Sequence, residues 1–194
     1  MATMMKAAVF VQKNRIEVVD KPIPDVGPND ALIRINTTTS GEQSNPSVAI
    51  LAGGGYVVTW HSNGQDGSEY GVYAQRYAAD GTAAGGEFRV NPTTSGSQHS
   101  ASVAPLADGG FVVGWQSYSQ DTYGWGSVGR IFAADGQPET AEFILNTTDA
   151  YQYTPALAAL TNGSFVAVWE ANQDGSGYGI YARHFANDGT ALGG

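Results

Sequence analysis

The chain has 194 residues, enough for one domain with its own core plus an extension, and two cores of ordinary size would be crowded. Glycine supplies 26 residues, about twice its usual share, while charged residues reach 14% against about 25% in an average protein, which is the profile of a turn-rich β protein. Nine basic against eighteen acidic side chains leave a net charge of -9, which opposes nucleic acid and anionic lipid, and the lack of cysteine removes disulfides, thiolate zinc sites and cysteine nucleophiles.

Met1 to Phe10 carries one lysine and no long apolar segment with a cleavage site, so no export signal is expected in this chain and its compartment stays open. No apolar run approaches the about 20 residues of a membrane span, so no membrane insertion is expected. Residues 1–30 read as an extension built on a β-hairpin around Val9 and Val18. The stretches Met5-Lys6-Ala7-Ala8-Val9-Phe10-Val11, Arg15-Ile16-Glu17-Val18-Val19, Lys21-Pro22-Ile23-Pro24 and Gly27-Pro28-Asn29-Asp30-Ala31-Leu32-Ile33-Arg34-Ile35 resemble the first strands of a medium-chain zinc alcohol dehydrogenase. That family continues into a cysteine zinc ligand, a metal-binding histidine and a glycine-rich dinucleotide loop. None of these follows here, so the resemblance implies a truncated, chimeric segment with no dehydrogenase activity and no NAD.

Ala31 to Asn36 aligns with Gly86 to Asn91 and is expected to be a closing strand at the head of one repeat domain, residues 31–194, with copies at 37–91, 92–146 and 147–194. Trp60, Trp115 and Trp169 stand 55 and 54 residues apart, each at the end of a matching apolar run. Asn36, Asn91 and Asn146 keep the same step, as do Gln43, Gln98 and Gln152, and Asp80-Gly81, Asp135-Gly136 and Asp188-Gly189 end each unit. Within a copy the first strand is Ser47 to Leu51, Ser102 to Leu106 or Ala156 to Leu160. A glycine-rich turn joins it to the second, Tyr56 to Trp60, Phe111 to Trp115 or Phe165 to Trp169. The third is Val72 to Tyr77 or Ile180 to Phe185, and the fourth Glu87 to Val90 or Glu142 to Leu145.

Four antiparallel strands repeated about every 50 residues predict an all-β fold of three four-stranded β-propeller blades, with a flat sandwich as the alternative. The third copy reaches Gly194 before its fourth strand, and the matching strand stands at Ala31 to Asn36. Three blades are fewer than a closed ring needs, so the expectation is a homodimer that closes a six-bladed propeller by exchanging strands. The motifs GGGYVVTW, GQDGSEYGVYAQRYAADG and GGEFRVN resemble the tandem glycine- and aspartate-rich modules of large secreted bacterial proteins of the RTX-toxin and adhesin type. That resemblance covers Thr37 to Gly194 and implies adhesion or ligand binding, while the calcium-binding nonapeptide of RTX proteins is not present.

In a blade the long links share one face, here Asn36 to Pro46, His61 to Tyr70, Asn91 to Ala101, Gln116 to Trp125, Asn146 to Pro155 and Glu170 to Tyr178. The expected ligand-binding residues on that face are Gln43, Gln98 and Gln152, the pairs Gln65-Asp66, Gln120-Asp121 and Gln173-Asp174, and Trp125. The aspartates have a plainer reading as acceptors in their own turns, and the repeated tryptophans as core between blades; Trp125 departs from the repeat and is the better ligand platform. His61, His99 and Glu170 are the catalytic candidates, and His61, His99 and Asp66 would hold a divalent metal, calcium or zinc, if there is one. Serine is so abundant that no Ser/His/Asp choice is informative. Two function classes follow: a propeller module that binds a glycan, another small ligand or a partner through its long-loop face, and a promiscuous metal-assisted phosphoester or ester hydrolase using the same face.

Overall fold

The structure is a computed structural model that describes the backbone of residues 4–12 and 15–22, and residues 33–118, 120, 124–146 and 151–193. The chain divides into two units, residues 1–34 and 35–194. In the first, β1 (Met4–Gln12) and β2 (Arg15–Pro22) pair antiparallel, with Ala8 opposite Val18 and Val9 opposite Glu17.

The second unit is all-β, with no helix among the described residues. Its first sheet runs in the order β3 (Gln43–Ile50), β4 (Tyr56–Asn63), β5 (Tyr70–Tyr77), β6 (Phe88–Arg89). The second runs β7 (Gln98–Pro105), β8 (Phe111–Tyr118), β9 (Trp125–Phe132), β10 (Phe143–Ile144). The third is β11 (Gln152–Ala159), β12 (Phe165–Ala171), β13 (Gly179–Phe185). Each sheet is a meander of sequential antiparallel strands, as the repeat predicts. Tight turns enforce this order: Leu51 N–H donates to the Gly55 carbonyl at 2.7 Å while Gly53 and Gly54 take φ of 91° and 85°, which side chains disfavour. At the Asp-Gly turns, Asp80, Asp135 and Asp188 each accept the N–H two residues on, at 2.8–2.9 Å.

Two apolar layers hold the sheets together. Ala49, Leu51, Val57 and Val72 of the first sheet pack on Phe111, Val113, Trp115 and Phe132 of the second. Leu106, Val112, Ile131 and Leu145 on the other side of the second sheet meet Phe165, Ala167, Trp169 and Phe185 of the third. The stacked pair Phe111–Phe132, with ring centroids 5.2 Å apart, recurs as Phe165–Phe185 at 5.1 Å and as Tyr56–Tyr77 at 4.9 Å.

Several expectations are corrected. The fourth strands are two residues long, though Val90 N–H still donates to Val72 O and Leu145 N–H to Ser127 O. Ile33 to Asn36 is not a strand, because the edge of the adjoining sheet is already taken by β6; Ala31 and Leu32 lie outside the described residues. The third sheet has three strands among the described residues, which agrees with the expected lack of a fourth strand in the third copy. Strands β4, β8 and β12 run past their tryptophans, so His61, Gln116 and Glu170 stand in strands and not in links. The extension is possible because β3, β7 and β11 restart their pairing after a bulge, leaving Ser44 opposite His61, His99 opposite Gln116 and Tyr153 opposite Glu170.

Candidate ligand-binding site

The first strands of the three sheets, β3, β7 and β11, lie side by side, β7 against both of the others. Each bulge puts one non-glycine residue in the left-handed region: Asn45 at φ 51°, Ser100 at 54° and Thr154 at 41°. Such a conformation costs about 1–3 kcal/mol where the side chain is β-branched, as in Thr154, and it recurs at one register position in all three sheets. Between the bulges runs an open groove of about 500 Å³ lined by Asn45, Ser47, Ser100, Ser102, Thr154 and Ala156. Its lining is neutral, with the hydroxyls of Ser47, Ser100, Ser102 and Thr154 set among Pro46, Ala101, Pro155 and Ala156.

Ser100 links this groove to a cluster of rings. His99 Nδ1 lies 2.9 Å from Ser100 Oγ, and Ser100 N–H donates to His61 Nδ1 at 3.3 Å. The His99 ring sits 4.8 Å from Trp125 and 5.9 Å from His61; Tyr118 packs on Trp125 at 5.0 Å and Tyr70 on His61 at 4.8 Å. Because His61 Nδ1 accepts a backbone N–H, its proton is on Nε2, which donates to Ser44 Oγ at 2.8 Å. Ser44 in turn donates to Glu42 Oε1 at 3.0 Å. The chain of donors runs from the imidazole towards the carboxylate, opposite to the direction that would activate Ser44 as a nucleophile. Burial lowers the pKa of His61 below its ordinary value of 6.5, with the Glu42 carboxylate opposing. Burial and then the His61 charge lower that of His99. Both rings are therefore neutral at pH 7.

The glutamine-aspartate pairs serve the sheets. Gln65 Nε2 donates to Glu87 Oε1, which with Oε2 also receives Thr37 N–H and the Thr37 and Thr38 hydroxyls. Gln120 Nε2 does the same to Glu142, whose oxygens take Thr93 N–H and hydroxyl. Burial raises the Glu87 carboxyl, but the Thr37 and Gln65 hydrogen bonds outweigh it and hold it below the usual value. Asp66 and Asp174 accept the N–H of Ser68 and Ser176 in their turns, Gln173 is half-buried, and Asp121 lies outside the described residues. Gln43, Gln98 and Gln152 begin β3, β7 and β11; Gln43 and Gln98 accept Asn36 and Asn91 Nδ2, both at 3.1 Å, and Gln98 and Gln152 are fully buried. Glu170 is exposed on β12. No group of three or more His, Asp or Glu side chains among the described residues is placed to hold a metal ion.

Trp125 does not break the repeat. It takes the register position of Tyr70 and Tyr178, so each sheet carries one aromatic ring there, and Tyr178 packs on Tyr153 at 5.4 Å. Tyr70, Tyr118, Tyr178, Ser44 and Glu42 were not among the residues expected from the sequence; aligning Trp125 with the two tyrosines would have found the first and third. Arg130 donates to the carbonyls of Val90 and Thr140.

No protein-family model matches the chain. Over 39 residues it is 74% identical to an alcohol dehydrogenase of Cupriavidus necator, a match covering 20% of this chain and 11% of the relative. The chain thus spans about a tenth of the length of the curated relatives it matches. Among solved structures it is similar to Hadza microbial sialidase Hz136, with a TM-score of 0.59 and 9% identity over 77% of this chain and 36% of that one. It is also similar to an endo-arabinase from Bacteroides thetaiotaomicron, with a TM-score of 0.53 and 15% identity over 84% of this chain and 60% of that one. An endo-1,4-beta-xylanase from the same organism gives a TM-score of 0.50 and 12% identity over 97% of this chain and 75% of that one. At these identities the likeness is one of fold.

Proposed function

We propose that residues 35–194 are three consecutive blades of a β-propeller and that the unit is a binding module for neutral saccharides. The carrying observation is the juxtaposition of the His99–Trp125–Tyr118 rings with the neutral groove and its serine and threonine hydroxyls, joined through Ser100. An aromatic face takes the C–H side of a sugar ring, while serine hydroxyls, neutral imidazoles and the Glu42 and Glu170 carboxylates meet its hydroxyls. The net charge of -9 disfavours anionic sugars. The fold likeness to proteins named as a sialidase, an arabinase and a xylanase supports a carbohydrate ligand, as does the resemblance to adhesin-type repeats.

The test is a titration of tryptophan fluorescence with neutral arabino- and xylo-oligosaccharides. A saturable change in the intact chain, lost in Trp125→Ala and His99→Ala variants that keep the β circular-dichroism spectrum, is the expected result. No response of the intact chain to either series overturns the reading.

A further inference from the structure

Equivalent positions in the three sheets differ sharply in exposure. Val72 in β5 and Ser127 in β9 are both 0% exposed, yet Ile180, at the same register position in β13, is 72% exposed. At the other end of the stack Val48 in β3 is 63% exposed, whereas its counterpart Val103 in β7 is 6% exposed. In the first two sheets one short segment closes the third strand. Val90 N–H donates to Val72 O at 2.8 Å, and Val72 N–H donates to Asn91 Oδ1 at 2.7 Å. Leu145 and Asn146 do the same for Ser127, at 2.9 and 3.2 Å. Neither backbone group of Ile180 has such a partner among the described residues.

The repeat puts Ile35 and Asn36 in the register of Val90-Asn91 and Leu145-Asn146. Asn36 already holds half of the arrangement. Its Nδ2 donates to Thr38 O at 2.6 Å and Gln43 Oε1 at 3.1 Å, as Asn91 Nδ2 donates to Thr93 O at 2.7 Å and Gln98 Oε1 at 3.1 Å. No hydrogen bond to Asn36 Oδ1 comes from a described residue. Ile35 lies with Val58 and Trp60 over the free side of the first sheet, and the second sheet stands between it and Ile180. The segment and the strand it matches are thus at opposite ends of one stack.

We propose that two copies of this chain join head to tail, Ile35 and Asn36 of each closing the β11–β13 sheet of the other. The inference rests on reading the sheets as propeller blades. Propellers have four to eight blades, so two copies of these three sheets make a ring of six, with two equivalent junctions about a two-fold axis. Each junction covers Ile180 and Val48 as their counterparts are covered within the chain. The groove along β3, β7 and β11 is then continued by the same strands of the second copy, with one His99–Trp125–Tyr118 cluster from each chain beside it. The junction lacks one contact found inside the chain: Ser47 and Ser102 hydroxyls accept the N–H of Val103 and Leu157, and the corresponding residue of β11 is Ala156.

The chain has no cysteine, so a designed pair reads the junction cleanly. The Ile35→Cys/Ile180→Cys double variant of the 194-residue chain is oxidised and run without reductant, beside each single variant and beside the native mass of the unaltered chain. The expected result is a native mass of twice 20.3 kDa and one covalent product of that mass from the double variant only. A folded species of 20.3 kDa, a ladder of higher multiples, or a dimer whose cysteines do not cross-link overturns the proposal. Neither readout involves a sugar. A chain that binds saccharide without pairing ends this inference alone, and a cross-linked pair that binds no saccharide ends only the functional reading.

Discussion

His61 ties three neighbours to one imidazole, and its lowered pKa makes that tie sensitive to acid. Above the unfolded histidine value of 6.5 both folded and unfolded chains are deprotonated here, and the stability is fully present. As pH falls below that value, the unfolded chain takes up protons that the buried His61 and His99 resist, so stability is lost as pH falls through their lowered folded values. The thermal midpoint is expected to drop between pH 7.5 and 5.5. His61→Gln, the residue that Gln116 supplies at the same place in the second sheet, should flatten that drop; an unchanged slope would show that the histidines do not cause it. Glu87 gives a second prediction at this scale. Removing its carboxylate in Glu87→Ala takes the acceptor from the exposed Thr37 N–H and the half-buried Gln65 amide, at a cost of about 0.5–1.5 kcal/mol in denaturant unfolding. A change below about 0.5 kcal/mol would deny the clamp a structural role. The repeat made Gln65 and Gln120 visible in the sequence, but not their purpose, because Glu87 and Glu142 stand 22 residues downstream beyond two turns.

Among the elements, the strands and their hairpin order were legible because apolar residues alternate and glycine turns recur at fixed spacing. The ends of the strands were not legible. Whether β4 stops at Trp60 or continues through His61 depends on pairing with Ser44 across a bulge, and a left-handed Asn45 leaves no pattern in an apolar-polar alternation. The bulges themselves give a prediction. Asparagine tolerates positive φ better than a β-branched residue, so Thr154→Asn should stabilise the fold by about 0.5–1 kcal/mol and raise the thermal midpoint by about 1–4 °C. Destabilisation instead would mean that the threonine side chain makes a contribution larger than its strain. The division at residue 34 concerns the other element. A chain lacking residues 1–30 should keep the β spectrum and cooperative unfolding of the intact protein, and loss of cooperativity would place the β1–β2 hairpin in the core.

At the scale of the whole molecule, the end sheets carry the cost of being ends. Val48, Ile50 and Ile180 are each more than 60% exposed, and covering a side chain of this size is worth about 1.5–3 kcal/mol. If two chains meet there, stability becomes a function of concentration, and the thermal midpoint should rise as the protein is concentrated from about 1 to 100 μM. A midpoint independent of concentration would fit a monomer. The aromatic cluster sets a different kind of limit. Although the sheet is repeated three times, the register positions of His99 and Trp125 hold Ser44 and Tyr70 in the first sheet and Tyr153 and Tyr178 in the third. The scaffold is therefore present in triplicate and the His99–Trp125 pair in a single copy. If that cluster binds saccharide as proposed, the valency is one per chain, a stoichiometry calorimetry reads directly, and a paired assembly would present two such clusters facing the same way around one axis. A ligand with two sugar arms long enough to span them would be held by avidity, its second arm binding at an effective concentration set by the linker and not by the solution.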